Sequence, residues 1–175
     1  SWARFVFDHG FNRLPQPMKL SLMAGIEHFT AVLAEYMMNH EEIFFQSHDE
    51  KQRAIWMWHM LEESEHKDIA YYVFQSLSNS YGLRIAGFFP ALIIILVLIS
   101  IASLLVPFYR KPSNLFSLSY WKDLPRSIKL IFGLQDGVYG SSWAHILDFL
   151  RPGFHPNDHD TSAFALQDRK STRLN

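Results

Sequence analysis

The sequence predicts an all-α fold, and three observations carry that prediction. Apolar residues recur at three- and four-residue spacing through two long stretches, 17–40 and 49–78. A third stretch, 85–106, runs 22 residues without a charged side chain. No segment alternates apolar and polar residues long enough to make a convincing strand.

The elements follow in order. Pro15 and Pro17 punctuate the start of the first helix, and Pro17 suits a first helical turn because its missing N–H would be unpaired there anyway. Leu20, Met23, Ala24, Glu27, Thr30, Ala31, Ala34 and Met38 make one face of it, and Asn39 and His40 end it. After a loop over 41–48, Asp49 caps a second helix with Gln52 as its capping-box partner. That helix runs to about Ser78, where Asn79-Ser80-Tyr81-Gly82 breaks it, so 17–80 forms a long antiparallel pair.

The segment Ile85 to Val106, within a hydrophobic helix over 82–110, is long enough to cross a bilayer. It suits a long buried helix in a larger bundle as well. Arg84 before it and Arg110 and Lys111 after it leave an orientation open. Amphipathic helices are expected over 117–150. The first, Ser119 to Phe132, is interrupted at Pro125 and suits either a membrane interface or a bundle surface. A short helix, Ser141 to Leu150, ends at Arg151-Pro152-Gly153, and a C-terminal loop fills 151–167. Residues 1–167 thus read as a single helical domain. The last eight residues, 168–175, match the translation of a common sequencing adapter and are set aside from fold reasoning.

Composition narrows the function. With 175 residues the chain can bury one core. A net charge of -1 provides no basic surplus for a nucleic-acid partner. Cysteine is absent, which excludes disulfides, zinc-thiolate sites and thiol nucleophiles together. Any metal is therefore held by carboxylates, imidazoles and water. Ser1 to Gly10 lacks the basic start and apolar core of a signal peptide.

The chemistry concentrates in Trp58 to His66. On a helical wheel His59, Glu63 and His66 fall within roughly 60° of one another, and Glu62 widens the arc to about 100°. Ile55, Ala70 and Val73 continue that arc, so ionisable groups occupy a stripe expected to be buried. Buried carboxylates without partners are costly, and a bound cation resolves the conflict. Glu63-x-x-His66 also has the spacing by which bundle helices present ligands to a dinuclear centre in ferritin-like folds. The companion helix there contributes one glutamate, and Glu27 fits, among small residues that allow close approach.

Glu27, Glu63 and His66 are thus the candidate metal ligands, with Glu62 and His59 as further ligands or the catalytic base. The alternative is plain packing, with His59 hydrogen-bonding Glu63 one turn away. His28 is expected to back the ligands or lie at the surface, and Glu35 to be solvated. His9, His40 and His48 carry no pattern and are expected at the surface. His155, between Phe154 and Pro156, is held in a restricted conformation that suits closing over the site or orienting substrate. Asp158, His159 and Asp160 read as a solvated loop or a weak cation site.

Three runs carry a resemblance: Ile26-Glu27-His28-Phe29-Thr30-Ala31, Trp56-x-Trp58-His59-x-x-Glu62-Glu63-x-Glu65-His66-Lys67 and Arg151-Pro152-Gly153-Phe154-His155-Pro156. Together they resemble the bacterial family of predicted metal-dependent hydrolases, over nearly all of the chain up to Gln167. The resemblance implies a partial ferritin-like bundle, a dinuclear divalent centre of iron, manganese or zinc, and a hydrolase acting on a small molecule. It implies a bacterial cytoplasmic or cytoplasmic-membrane protein. It also implies an N-terminally truncated fragment, because family members carry an earlier helix pair with Gly-Glu and Gln-Glu-x-x-His motifs. Two rivals stand beside the hydrolase: a di-iron oxygenase or oxidase near a membrane, and a non-enzymatic membrane-associated helical protein.

Overall fold

A computed structural model describes residues 10–45, 49–133, 135 and 137–159. Among them seven α-helices form and no strand does: α1 Gln16–Asn39, α2 Glu41–Phe44, α3 Glu50–Leu77, α4 Tyr81–Arg110, α5 Leu118–Phe132, α6 Val138–Ser141 and α7 Trp143–Asp148. Single 3-10 turns lie at Phe11–Arg13, Pro112–Phe116 and Pro156–Asp158.

The ends of the first long pair follow from sequence. Pro17 occupies the first turn of α1. Asp49 caps α3: the Gln52 N–H donates to Asp49 Oδ1 at 2.8 Å, and the Asp49 N–H donates to Gln52 Oε1 at 3.4 Å. α1 and α3 run antiparallel, with Arg53 paired to Glu41 near the connection and Glu27 facing His66 midway. Ala34, Met38, Phe45 and Met60 fill the end near the connection.

The larger core gathers Phe29, Phe74, Phe88, Ile146, Phe149 and Phe154. Three of these come from the segment after α6, which closes over the junction of α1, α3 and α4. Arg84 of α4, only 4% exposed, holds that closure. Its Nη1 donates to Tyr71 Oη at 2.9 Å and to the Phe154 carbonyl at 3.3 Å, and its Nη2 donates to the Arg151 carbonyl at 2.7 Å. The rings of Tyr71, Tyr81, Phe149 and Phe154 surround the guanidinium at 5.2 to 6.0 Å.

Three features differ from the sequence reading, the first being the short helix α2 where a loop is expected over 41–48. α5 runs unbroken through Pro125. It buries none of its residues, so water can meet the carbonyl that loses its N–H partner. The short helix expected over Ser141 to Leu150 is the shorter α7, and a separate helical turn, α6, precedes it across Ser142. There Ser141 Oγ donates to the Gly137 carbonyl at 2.7 Å, a side-chain bond of the kind that competes with helix continuation. The last eight residues, with His9, His48 and Asp160, lie outside the described residues.

Candidate metal centre

Glu27 of α1 meets Glu63 and His66 of α3, and one ligand atom from each lies within 4.8 Å of the other two. The spacing of three along α3 sets Glu63 and His66 side by side. Ala24, Ala31 and Ala34, all buried, keep α1 slim where α3 approaches. His66 Nδ1 stands 3.9 Å from Glu27 Oε2, beyond hydrogen-bond length.

The donor set fits a divalent cation. Ligand atoms roughly 2.0–2.2 Å from one ion lie about 3.3–3.6 Å apart in a tetrahedral site, so these three, within 4.8 Å of one another, would close by up to about an ångström. Two carboxylates and an imidazole suit iron, manganese or zinc. Electrostatics agree: burial, and then the Glu63 carboxylate, hold the Glu27 carboxyl above its usual range, while His66 acts the other way. A cation between them would offset both the desolvation and the repulsion.

Of the candidate catalytic pair, His59 Nε2 lies 3.7 Å from Glu63 Oε1, flanking the ligand from the exposed side. Glu62 is half-buried and stands outside the three-residue group. One expectation is corrected here. The ligand arc is not the buried stripe of α3: Ile55 is 64% exposed, and Val73, His59 and His66 are exposed too. α3 buries Met60, Ser64, Lys67, Tyr71 and Phe74, a stripe rotated roughly 90° from the ligand arc. The ligands therefore sit on the margin of the helix pair, reachable from solvent.

His155 is placed elsewhere. Its Nδ1 accepts from the Asn157 N–H at 3.2 Å, its own N–H donates to Asp158 Oδ2 at 3.2 Å, and its ring packs edge-on to Tyr71 and Tyr72. It caps the turn at 156–158 and does not join Glu27, Glu63 and His66. Asp158 and His159 are likewise engaged. Arg151 pairs with both Asp148 and Asp158, and His159 Nε2 lies 3.0 Å from Asp148 Oδ2.

Lys67 and Arg84 escaped the sequence reading, and His28, expected to back the ligands or lie at the surface, is buried instead. His28 is 3% exposed, with Nε2 3.1 and 3.2 Å from the carbonyls of His145 and Ile146, and burial pushes its pKa down to about 4. Its signal was its place in line with Ser21, Ala24, Gly25 and Val32, the buried face of α1. Lys67 is buried with Nζ donating to the His159 carbonyl at 2.9 Å, and Arg84 forms the clamp described above. Glu35 is not simply solvated: its Oε2 lies 3.7 Å from His145 Nδ1 beside an open cleft of about 450 Å³. His40 is half-buried, its ring stacked on Tyr36.

The family model described as predicted metal-dependent hydrolase matches residues 3–160. Among curated proteins and solved structures, none matches the chain. A match over that length covers α1 to α7 together with the Glu27, Glu63 and His66 group. The chain belongs to the family of predicted metal-dependent hydrolases, a membership that implies a divalent metal.

Proposed function

We propose that Glu27, Glu63 and His66 hold a divalent cation and that the protein hydrolyses a small-molecule substrate beside it. The observation that carries this is the meeting of the three ligand atoms from two helices within 4.8 Å. When bound, such a cation lowers the pKa of a coordinated water toward neutrality and polarises the bond under attack. The chain's own residues supply the rest. Glu27 and Glu63 provide the negative charge that retains the cation. His59 Nε2, at the exposed side of Glu63, takes up the proton released in the reaction and passes it to solvent. Glu62, its neighbour on the same helix, is the other candidate for that role. Placement at the margin of α1 and α3 leaves an open side for substrate to approach.

A dinuclear centre is part of this reading and rests on the Glu63-x-x-His66 spacing. The same carboxylate-rich set favours a second reading, in which iron activates oxygen. Purified protein, its metal quantified, should be assayed against phosphoester, carboxylic-ester and amide substrates before and after chelation. Hydrolysis lost on chelation and restored by added metal supports the proposal. Iron content with an oxygen-dependent absorbance change and no hydrolysis would replace it with the second reading.

A further inference from the structure

We propose that residues 96–132, the outer half of α4 with the turn after it and α5, insert into one leaflet of an anionic bilayer, and that α4 does not cross it. The proposal is independent of the metal centre and goes beyond the hydrolase reading.

The first support is where α4 stops being covered. Its inner half buries Gly87, Phe88, Ala91 and Ile95 against the body. The arc that Gly87, Ala91 and Ile95 occupy continues outward as Leu98, Ala102, Leu105 and Tyr109, and all four are exposed. Val97 and Ile101 are exposed beside them. From Ile85 to Tyr109 no residue is charged. A contiguous apolar surface of this kind marks a place where something other than water belongs.

The second support is α5. Trp121, Leu124, Ile128 and Phe132 occupy an arc of roughly 80°, at whose edge Ile131 packs against the core, and Lys122, Arg126 and Lys129 a separate arc of roughly 60°. Such a helix lies in a bilayer interface with its apolar face down and its basic edge against anionic headgroups. The Phe108 ring, 4.9 Å from Tyr120 and 6.0 Å from Trp121, ties it to the outer end of α4. Tyr109 and Phe116, the latter 92% exposed, stand at the tip between them.

The third support is topological, and it decides between crossing and dipping. Phe88 of α4 stacks on Phe149 with ring centres 5.6 Å apart, and Val138 and Tyr139 of α6 join the same core. Both ends of the 96–132 excursion therefore return to one body on one side. Had α4 crossed, the chain would have to come back through α5. That helix rises only about 22 Å against roughly 30 Å of hydrocarbon. It also carries Lys122, Asp123, Arg126 and Lys129. A return crossing is closed, so α4 enters and the chain leaves through the same leaflet.

The absence of native cysteine allows a direct test on the full chain. Ser76→Cys before α4, Ser113→Cys at the tip and Asn157→Cys after the excursion would be labelled with an impermeant maleimide in sealed membrane vesicles. Ser76→Cys and Asn157→Cys should label from the same face, and lipid should shield Ser113→Cys at least several-fold. The protein should float with vesicles containing phosphatidylglycerol, and the K122E/R126E/K129E variant should lose most of that flotation. Labelling from opposite faces would overturn the one-leaflet topology. Absence of flotation, or shielding of Ser113→Cys by a second copy of the chain without lipid, would overturn the membrane surface itself.

Discussion

Gly87 of α4 lies against the backbone of Ser21 in α1, so close that a Cβ on Gly87 would stand 2.1 Å from Ser21 Oγ, 2.6 Å from its carbonyl carbon and 2.8 Å from Leu22 N. Two of these three atoms belong to the backbone and cannot swing aside. Ser21 Oγ is further held by donating to the Leu83 carbonyl at 2.7 Å. Gly87→Ala should therefore destabilise the protein by about 1–3 kcal/mol or more, as overpacking does. Gly82→Ala, whose Cβ meets only Ser80 Oγ at 4.0 Å, should be near neutral in the same thermal unfolding experiment. Equal effects would show that the α1–α4 contact is looser than described.

Replacing Arg84 should release the C-terminal segment. Its guanidinium binds two main-chain carbonyls from that segment and the hydroxyl of Tyr71. Arg84→Met leaves the Arg151 carbonyl and the Tyr71 oxygen without their donor, while the Phe154 carbonyl keeps the Tyr71 hydroxyl at 2.6 Å, at a cost of about 1–3 kcal/mol. Arg84→Lys should recover only part, because an ammonium lacks the planar fork. Hydrogen exchange should show Phe154 and Ile146 losing protection before α3 does. Uniform loss along the chain would contradict a local clamp.

His28 predicts a particular pH dependence. Its folded pKa, about 4, lies below the ordinary 6.5 because burial disfavours the charged ring. The folded state thus binds this proton less readily than the unfolded chain. The contribution is fully present above pH 6.5, declines as pH falls, and levels off below the folded value of about 4. The total comes to about 3 kcal/mol. Urea denaturation at pH 7, 5.5 and 4.5 should show the decline in the wild type, and His28→Phe should flatten it. Parallel slopes in the two proteins would refute the assignment.

Glu27 should respond in opposite ways to substitution with and without metal. Desolvation and Glu63 repulsion burden its carboxylate in the metal-free protein. Glu27→Gln should leave metal-free stability unchanged or slightly raised, while abolishing stabilisation by added metal. For the wild type that stabilisation is about 2.7 kcal/mol at a hundredfold excess over Kd. A variant that still gains stability from metal would remove Glu27 from the ligand set.

What the sequence made legible was local. The Asp49–Gln52 capping box and Pro17 in the first turn follow from spacing, and the meeting of Glu27 with Glu63 and His66 from the ligand arrangement of metal-binding helical bundles. The rotation of α3 was not legible. Ile55 and Val73 made the ligand arc look like the core, while Ser64 and Lys67 disguised the stripe that is buried. Their polar atoms are satisfied inside, Ser64 Oγ by the Leu61 carbonyl and Lys67 Nζ by the His159 carbonyl. What His28 is buried against was hidden for a related reason. Its partners are main-chain carbonyls more than a hundred residues onward, and periodicity within α1 carries no trace of them.

The most direct test of the central claim is the metal content of the purified protein, compared with Glu63→Gln and His66→Ala made in the same way. If Glu27, Glu63 and His66 form the centre, the wild type should retain stoichiometric iron, manganese or zinc through gel filtration, and each variant should lose at least tenfold in affinity. Metal retained equally by all three proteins, or by none under metal-replete conditions, would contradict the account.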